Sequence, residues 1–219
     1  MATALTIFSV ATAIVLVVVA ILAAALARAG STRRQALERW AAETGWRYAP
    51  RSDAEWVARL PRKSVRGLRS TLTGVLDGFP VTVADYSYTT SANPADPEDD
   101  SARLTHQCVV VAITLDRPHP PVTVTVRDQH TELAHTGHPP VETGNPLFDN
   151  SFQITSADPE HARQLVGQPL LQAHLAGIVP HWSITGDTLL TYFPGSLGDP
   201  AAIPTLAAPL LTVAKLLER

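Results

Sequence analysis

Cysteine is almost missing from this chain of 219 residues. Cys108 is the only one, so no intrachain disulfide can form and a disulfide-stapled secreted scaffold is excluded. Opening an apolar strand, it reads as a buried, inert thiol, with nearby His106 read as facing away from it. The nucleotide-binding fingerprints are missing too: there is no P-loop and no G-x-G-x-x-G. Ser196, in the run PGSLG, follows Gly195 directly and so is not the nucleophile of a G-x-S-x-G elbow. No repeat with a period of roughly 20 to 50 residues is visible, which excludes solenoids and propellers.

One further absence organises the chain. From Leu5 to Ala27 no residue is charged and none is Gly or Pro. As a helix this stretch reaches roughly 34 Å, enough to cross a hydrocarbon core of about 30 Å, and it is expected to be a transmembrane anchor. No Lys or Arg precedes it, whereas Arg28, Arg33 and Arg34 follow, so the positive-inside bias places the C-terminal side in the cytoplasm. The competing reading is a secretory signal cleaved after Ala25-Leu26-Ala27. That reading lacks the charged n-region such signals carry, and the apolar run exceeds their usual core of about 7 to 15 residues. The expectation is a single-pass protein of the cell membrane with a cytoplasmic C-terminal domain.

Residues 28 to 69 hold 11 of the 17 basic side chains against four acids, leaving +7, while residues 70 to 219 carry −10. The organisation expected is therefore an anchor over residues 1–30, a basic juxtamembrane helical segment over 31–69, and a globular domain over 70–219 continuous with it. Basic groups within a Debye length of anionic lipid are attracted to it. Arg28, Arg33, Arg34, Arg62, Lys63, Arg66 and Arg69 are the candidate membrane-surface residues. The acidic body argues against nucleic acid as a partner.

Along the chain, Ser31 is placed to cap a helix with Leu37, Trp40 and Ala41 on one side, ended by Gly45. Trp40 and Trp46 are candidates for the headgroup level, with packing into the domain favoured for Trp46. Ser52-Asp53-Ala54-Glu55 has the form of a capping box before a short helix closed by Pro61. From Ser70 the period changes to two. Strands flank Asp77-Gly78 as a hairpin, and the polar, Pro-rich run from Ser91 to Ala102 reads as a loop. QCVVVAITL, residues 107–115, suits a central strand covered on both faces, and PVTVTVR, residues 121–127, alternates; they read as consecutive antiparallel strands joined by the DRPHP turn. A polar, irregular stretch precedes the strand FQITS, residues 152–156. Asp158-Pro159 then opens a helix broken by Gly167 and Pro169. Gly186-Asp187 signals a second hairpin, and Asp199-Pro200 opens a helix whose stripe is Leu206, Leu210, Val213 and Leu217. Strands interrupted by helices without regular alternation predict an α+β domain, an antiparallel sheet with helices on one face.

The densest set of ionisable groups is Asp128, His130, Glu132, His135 and His138. Imidazole and carboxylate are suitable ligands for first-row metals. His130, His135 and His138 do not share a helix face, however, and Gly137, Pro139 and Pro140 make a poor frame for a preorganised site. Asp85, beside Tyr86 and Tyr88, reads as an exposed edge or bulge charge.

The short N-terminal anchor, ALERWAAETGWRY (36–48), DYSYTT (85–90) and FDNSFQITSADPEHARQLV (148–166) together resemble a family of uncharacterised single-pass membrane proteins common in actinobacteria. Fifteen Arg against two Lys, with many Ala and Pro, suit such a high-GC source. The resemblance rests on apolar and aromatic positions and implies no activity and no cofactor. The expected function is a membrane-tethered cytoplasmic domain that binds a protein partner or the anionic membrane surface and does no catalysis. The alternative is a metal-dependent hydrolase using the loop of His130, His135 and His138.

Overall fold

The computed structural model describes residues 31–61, 67–91, 103–127 and 138–218. The apolar stretch from Leu5 to Ala27 lies outside them, as does most of the acidic run from Ser91 to Ala102. Helix α1 occupies residues 31–44. Ser31 is itself helical and so does not cap it. The helix ends as expected at Gly45, whose φ of 75° admits the left-handed turn, and Trp46 N–H closes the motif on Ala41 O at 2.8 Å.

Strand β1 (Arg47–Pro50) follows, then a 3-10 helix, Glu55–Arg59. The expected capping box does not form: the N-cap is Ala54, without a side-chain bond, and Ser52 Oγ instead donates to Thr71 Oγ1 at 3.1 Å. Strands β2 (Leu68–Leu76) and β3 (Phe79–Ser91) make the hairpin expected at Asp77-Gly78. Leu76 pairs with Phe79, and φ is positive at both turn residues, the geometry of a tight primed turn.

Strand β4 (Arg103–Val126) runs through the DRPHP segment where two strands joined by a turn were expected, and β7 (Trp182–Pro194) runs through Gly186. The two are antiparallel partners from Cys108↔Pro194 to Val124↔Trp182. Both bend sharply. Thr191 Oγ1 donates to His181 O at 2.7 Å, and one Arg59 nitrogen lies 3.4 Å from Ser183 O and 3.0 Å from Thr188 O. A straight strand would hold residues 183 and 188 roughly 16 Å apart. The chain therefore reverses at Gly186, but each arm pairs with β4 and not with the other arm. β4 takes the longer path around the bend, since its stretch from Thr114 to His119 faces the shorter stretch of β7 from Thr188 to Gly186. Gly186, at φ 60°, takes the tight path.

The remaining elements are β5 (Pro140–Val141), α2 (Pro146–Ser151), β6 (Phe152–Ser156), α3 (Pro159–Leu165), α4 (Gln168–Leu175) and α5 (Ile203–Leu217). The sheet runs β1-β2-β3-β4-β6-β5, with β7 also on β4. Asn145, Asp158 and Asp199 each accept a backbone N–H just before a proline, satisfying donors at the start of the next helix or turn. Neither β5 nor α2 was anticipated, since both fall in or beside the stretch read as polar and irregular.

The fold is α+β, a mixture of helices and one antiparallel sheet. Alternation along β4 divides two cores. Val109, Val111 and Ile113 join Leu37 and Ala41 of α1, residues of α3 and α4, and Ile203, Leu210 and Val213 of α5. Cys108, Val110 and Ala112 face the other way, against Val57 and Leu60 beside the 3-10 helix. The α-helices thus share one face, as expected, while the opposite face of this part of the sheet is covered as well. Among the described residues, Pro200–Leu217 is the one helical stretch long and apolar enough to cross a membrane, and its apolar stripe is spent on the core.

Candidate functional site

Asp85 lies in the middle of β3, where the sequence suggested an exposed charge. It is only 5 % exposed. Its side chain shares the face of Val81 and Val83, beneath α1. Burying a carboxylate is costly unless it is paired and hydrogen-bonded, and here both oxygens are engaged. Oδ2 receives Arg33 Nη2 of α1 at 2.7 Å and Ser70 Oγ at 3.4 Å, and Oδ1 receives the backbone N–H of Leu197 at 2.8 Å. The Leu197 carbonyl in turn accepts from Arg33, with Nε at 2.9 Å. Arg33, Asp85 and Leu197 therefore close a ring that joins the helix, the sheet and the loop leading into α5.

The candidate membrane-surface residues divide accordingly. Arg33 is turned into the domain. Arg34 stays exposed, pairing along the helix with Glu38 at 2.8 Å, and Arg69 is exposed with Nε on Ser87 Oγ at 3.1 Å. Arg28, Arg62, Lys63 and Arg66 lie outside the described residues. Trp40 and Trp46 are half-buried against the core, their ring centroids 5.4 Å apart. With Gly45, Arg47, Thr73, Gly74 and Val75, Trp46 lines an open surface groove of about 460 Å³.

Of the histidine loop, His138 is described and half-buried, and His130 and His135 lie outside the described residues. Among the described residues no group of three or more His, Cys, Asp or Glu is arranged to hold a metal ion. The imidazoles that are gathered lie elsewhere. His174 of α4 is buried among Phe148, Phe152 and Trp182, and burial pushes its pKa down to about 4. His181 is lowered by burial, against a backbone hydrogen bond to Tyr192 that favours the charged form. His119, at the bend of β4, is lowered first by burial and then by His161, whose ring lies 5.8 Å away. His106 and Cys108, two residues apart, share a face after all. His106 stacks on Tyr88 at 4.9 Å.

Arg59 is a half-buried cation. Burial lowers its pKa to about 10, against the attraction of Asp187, and it forms no ion pair among the described residues. Its donors serve the carbonyls at the bend of β7, so it reads as a structural seal. What sequence reasoning missed was the ring around Asp85. The available signal was a lone acid among apolar strand residues, and the partner that neutralises it sits 52 positions earlier, while the loop amide is 112 positions later.

With this geometry in view, the fold is similar to that in the crystal structure of the mycobacterial trehalose monomycolate transport factor A, TtfA, at a TM-score of 0.50. The two share 14 % identity, over 84 % of this chain and 93 % of that one. The likeness is one of fold. No family model and no curated protein matches the chain.

Proposed function

We propose that this chain is a membrane-tethered accessory domain that lies on the cytoplasmic side and docks a membrane-embedded protein partner, without catalysing a reaction itself. The observation that carries the reading is the place of α1. Its described part, residues 31–44, follows closely on the apolar stretch in sequence and is not a loose tether: Leu37 and Ala41 are buried in the main core. A domain built around the helix next to its anchor is suited to holding one face at a set height and orientation, which a lipid-binding module on a flexible linker does not need. The fold neighbour is in keeping with this choice, since its name makes it a trehalose monomycolate transport factor. The resemblance to single-pass actinobacterial membrane proteins points the same way.

The test uses the full chain at native expression level, with a reporter that works only in the cytoplasm fused after Arg219. The reading expects reporter activity, retention of residues 1–27 in the mature protein, and recovery from detergent-solubilised membranes in a complex with a stoichiometric membrane protein. An active export-dependent reporter, or recovery only as the lone chain, would overturn it.

A further inference from the structure

A buried ion pair is a poor source of stability. Removing two charges from water costs several kcal/mol per ion, and a well-packed apolar pair of similar volume often does as well or better. The pairing of Arg33 and Asp85, at 34 % and 7 % side-chain exposure, therefore calls for an account other than strength. Its geometry supplies one. Apolar contacts such as those of Leu37 and Ala41 have no direction and tolerate a helix that slides or rotates by a fraction of a turn. The ring of Arg33, Asp85 and Leu197 does not. The guanidinium must place Nη2 on the carboxylate and Nε on the Leu197 carbonyl together, while the Leu197 amide meets the other carboxylate oxygen. Few placements of α1 satisfy all three.

We propose that the ring is a register pin, which fixes one position of α1 on the sheet and ties that position to the loop that opens α5. Leu197 is two residues from Asp199, the N-cap of the turn Pro200–Ala202 that runs into α5. A displacement of α1 is thereby transmitted to the start of the C-terminal helix. The consequence for orientation at a membrane rests on the tethered reading above, but the pin itself lies wholly within the described domain.

The experiment takes the full chain in lipid nanodiscs with Cys108→Ala and spin labels at Gln35→Cys and Ala201→Cys, two exposed positions on α1 and before α5. Pulsed electron-electron resonance should give one narrow distance. The paired change Arg33→Met with Asp85→Leu should leave the thermal midpoint within a few degrees while the distance distribution widens or splits. If the paired variant keeps the single narrow distance, the pin is refuted. If that variant does not fold, Asp85→Asn takes its place, read by hydrogen exchange. Protection lost selectively in residues 31–44 and at the start of α5 supports the pin, and a uniform loss across the sheet refutes it. Both readouts are internal distances or protections, so they remain interpretable even if the topology reporter contradicts the proposed location.

Discussion

The indole N–H of Trp182 donates to Nε2 of His174 at 2.9 Å inside the main core. An imidazole that accepts at Nε2 is neutral and carries its proton on Nδ1, and that Nδ1 has no hydrogen-bond partner among the described residues. Protonation would put a donor against a donor. The bond joins β7 to α4, so the packing of the small helices over β6 depends on a neutral ring.

The pH dependence follows from that. His174 has a folded pKa of about 4 against 6.5 for the free side chain, so between these values the unfolded chain binds more protons than the folded one. The stability contributed by keeping the ring neutral is complete above about pH 6.5 and is lost as pH falls toward 4. The whole loss is on the order of 3 kcal/mol at 1.36 kcal/mol per pKa unit. His181 and His119 are shifted the same way and add to it. Thermal midpoints measured from pH 7.5 to 4 should fall, and His174→Phe should flatten the profile below pH 6.5. A profile unchanged by that substitution would assign the acid sensitivity elsewhere.

Gly74 gives a second prediction. A Cβ at this position would lie 2.3 Å from the indole of Trp46, which covers β2 there. The nearest ring atoms belong to the inner part of the indole, so the side chain cannot simply swing its tip aside. Gly74→Ala should cost about 1–3 kcal/mol, the range for overpacking, and shift the tryptophan emission. Gly78→Ala meets no atom but is strained by its φ of 88°, so it should destabilise without the emission change.

The elements that sequence made legible are those with local causes. Asp77-Gly78 gives a hairpin because both residues adopt positive φ, and Asp158-Pro159 starts α3 because the carboxylate caps and the ring presets φ. Asn145-Pro146 carries the same signature before α2, but its helix is six residues long and shows no periodicity, so nothing drew attention to it. The two bends failed for a different reason. DRPHP and Gly186-Asp187 do mark places where the chain turns, but local signals do not say which strand the arms will pair with, and the long ribbon of β4 and β7 is a tertiary fact. Asp85 failed likewise: a lone carboxylate reads as exposed until its distant partners are known.

Arg59 ties those bends together and gives the third prediction. Its guanidinium reaches across to the carbonyls of Ser183 and Thr188, which the fold of β7 brings side by side at the strand's edge. Removing it leaves two carbonyls without their donor and opens the bend to water. Arg59→Met keeps the aliphatic packing and should cost about 1–3 kcal/mol, the range for an unsatisfied buried polar group. Hydrogen exchange should localise the loss to residues 182–190. A loss confined to residues 55–61 would mean that the arginine serves only its own 3-10 helix.

The last prediction separates two neighbouring arginines that composition treats alike. Arg33 and Arg34 both follow the apolar stretch, but one is held by a buried carboxylate and the other by an exposed helical neighbour. Arg33→Gln leaves Asp85 buried without its cation. Breaking a buried pair from one side costs about 3–5 kcal/mol, and the partial exposure of Arg33 reduces that to roughly 2 kcal/mol. Arg34→Gln should leave the thermal midpoint unchanged within error, because an exposed pair contributes little to folding. Anionic vesicles should reverse the ranking. Arg34 and Arg69 have solvent-facing charge to offer, so Arg34→Gln and Arg69→Gln should weaken binding to vesicles containing phosphatidylserine and reduce its sensitivity to salt. Arg33→Gln, measured where the variant is still folded, should change vesicle binding little. Were Arg33→Gln to weaken vesicle binding as much as Arg34→Gln while leaving the melting temperature untouched, Arg33 would be a surface charge and the ring around Asp85 would not be what holds α1.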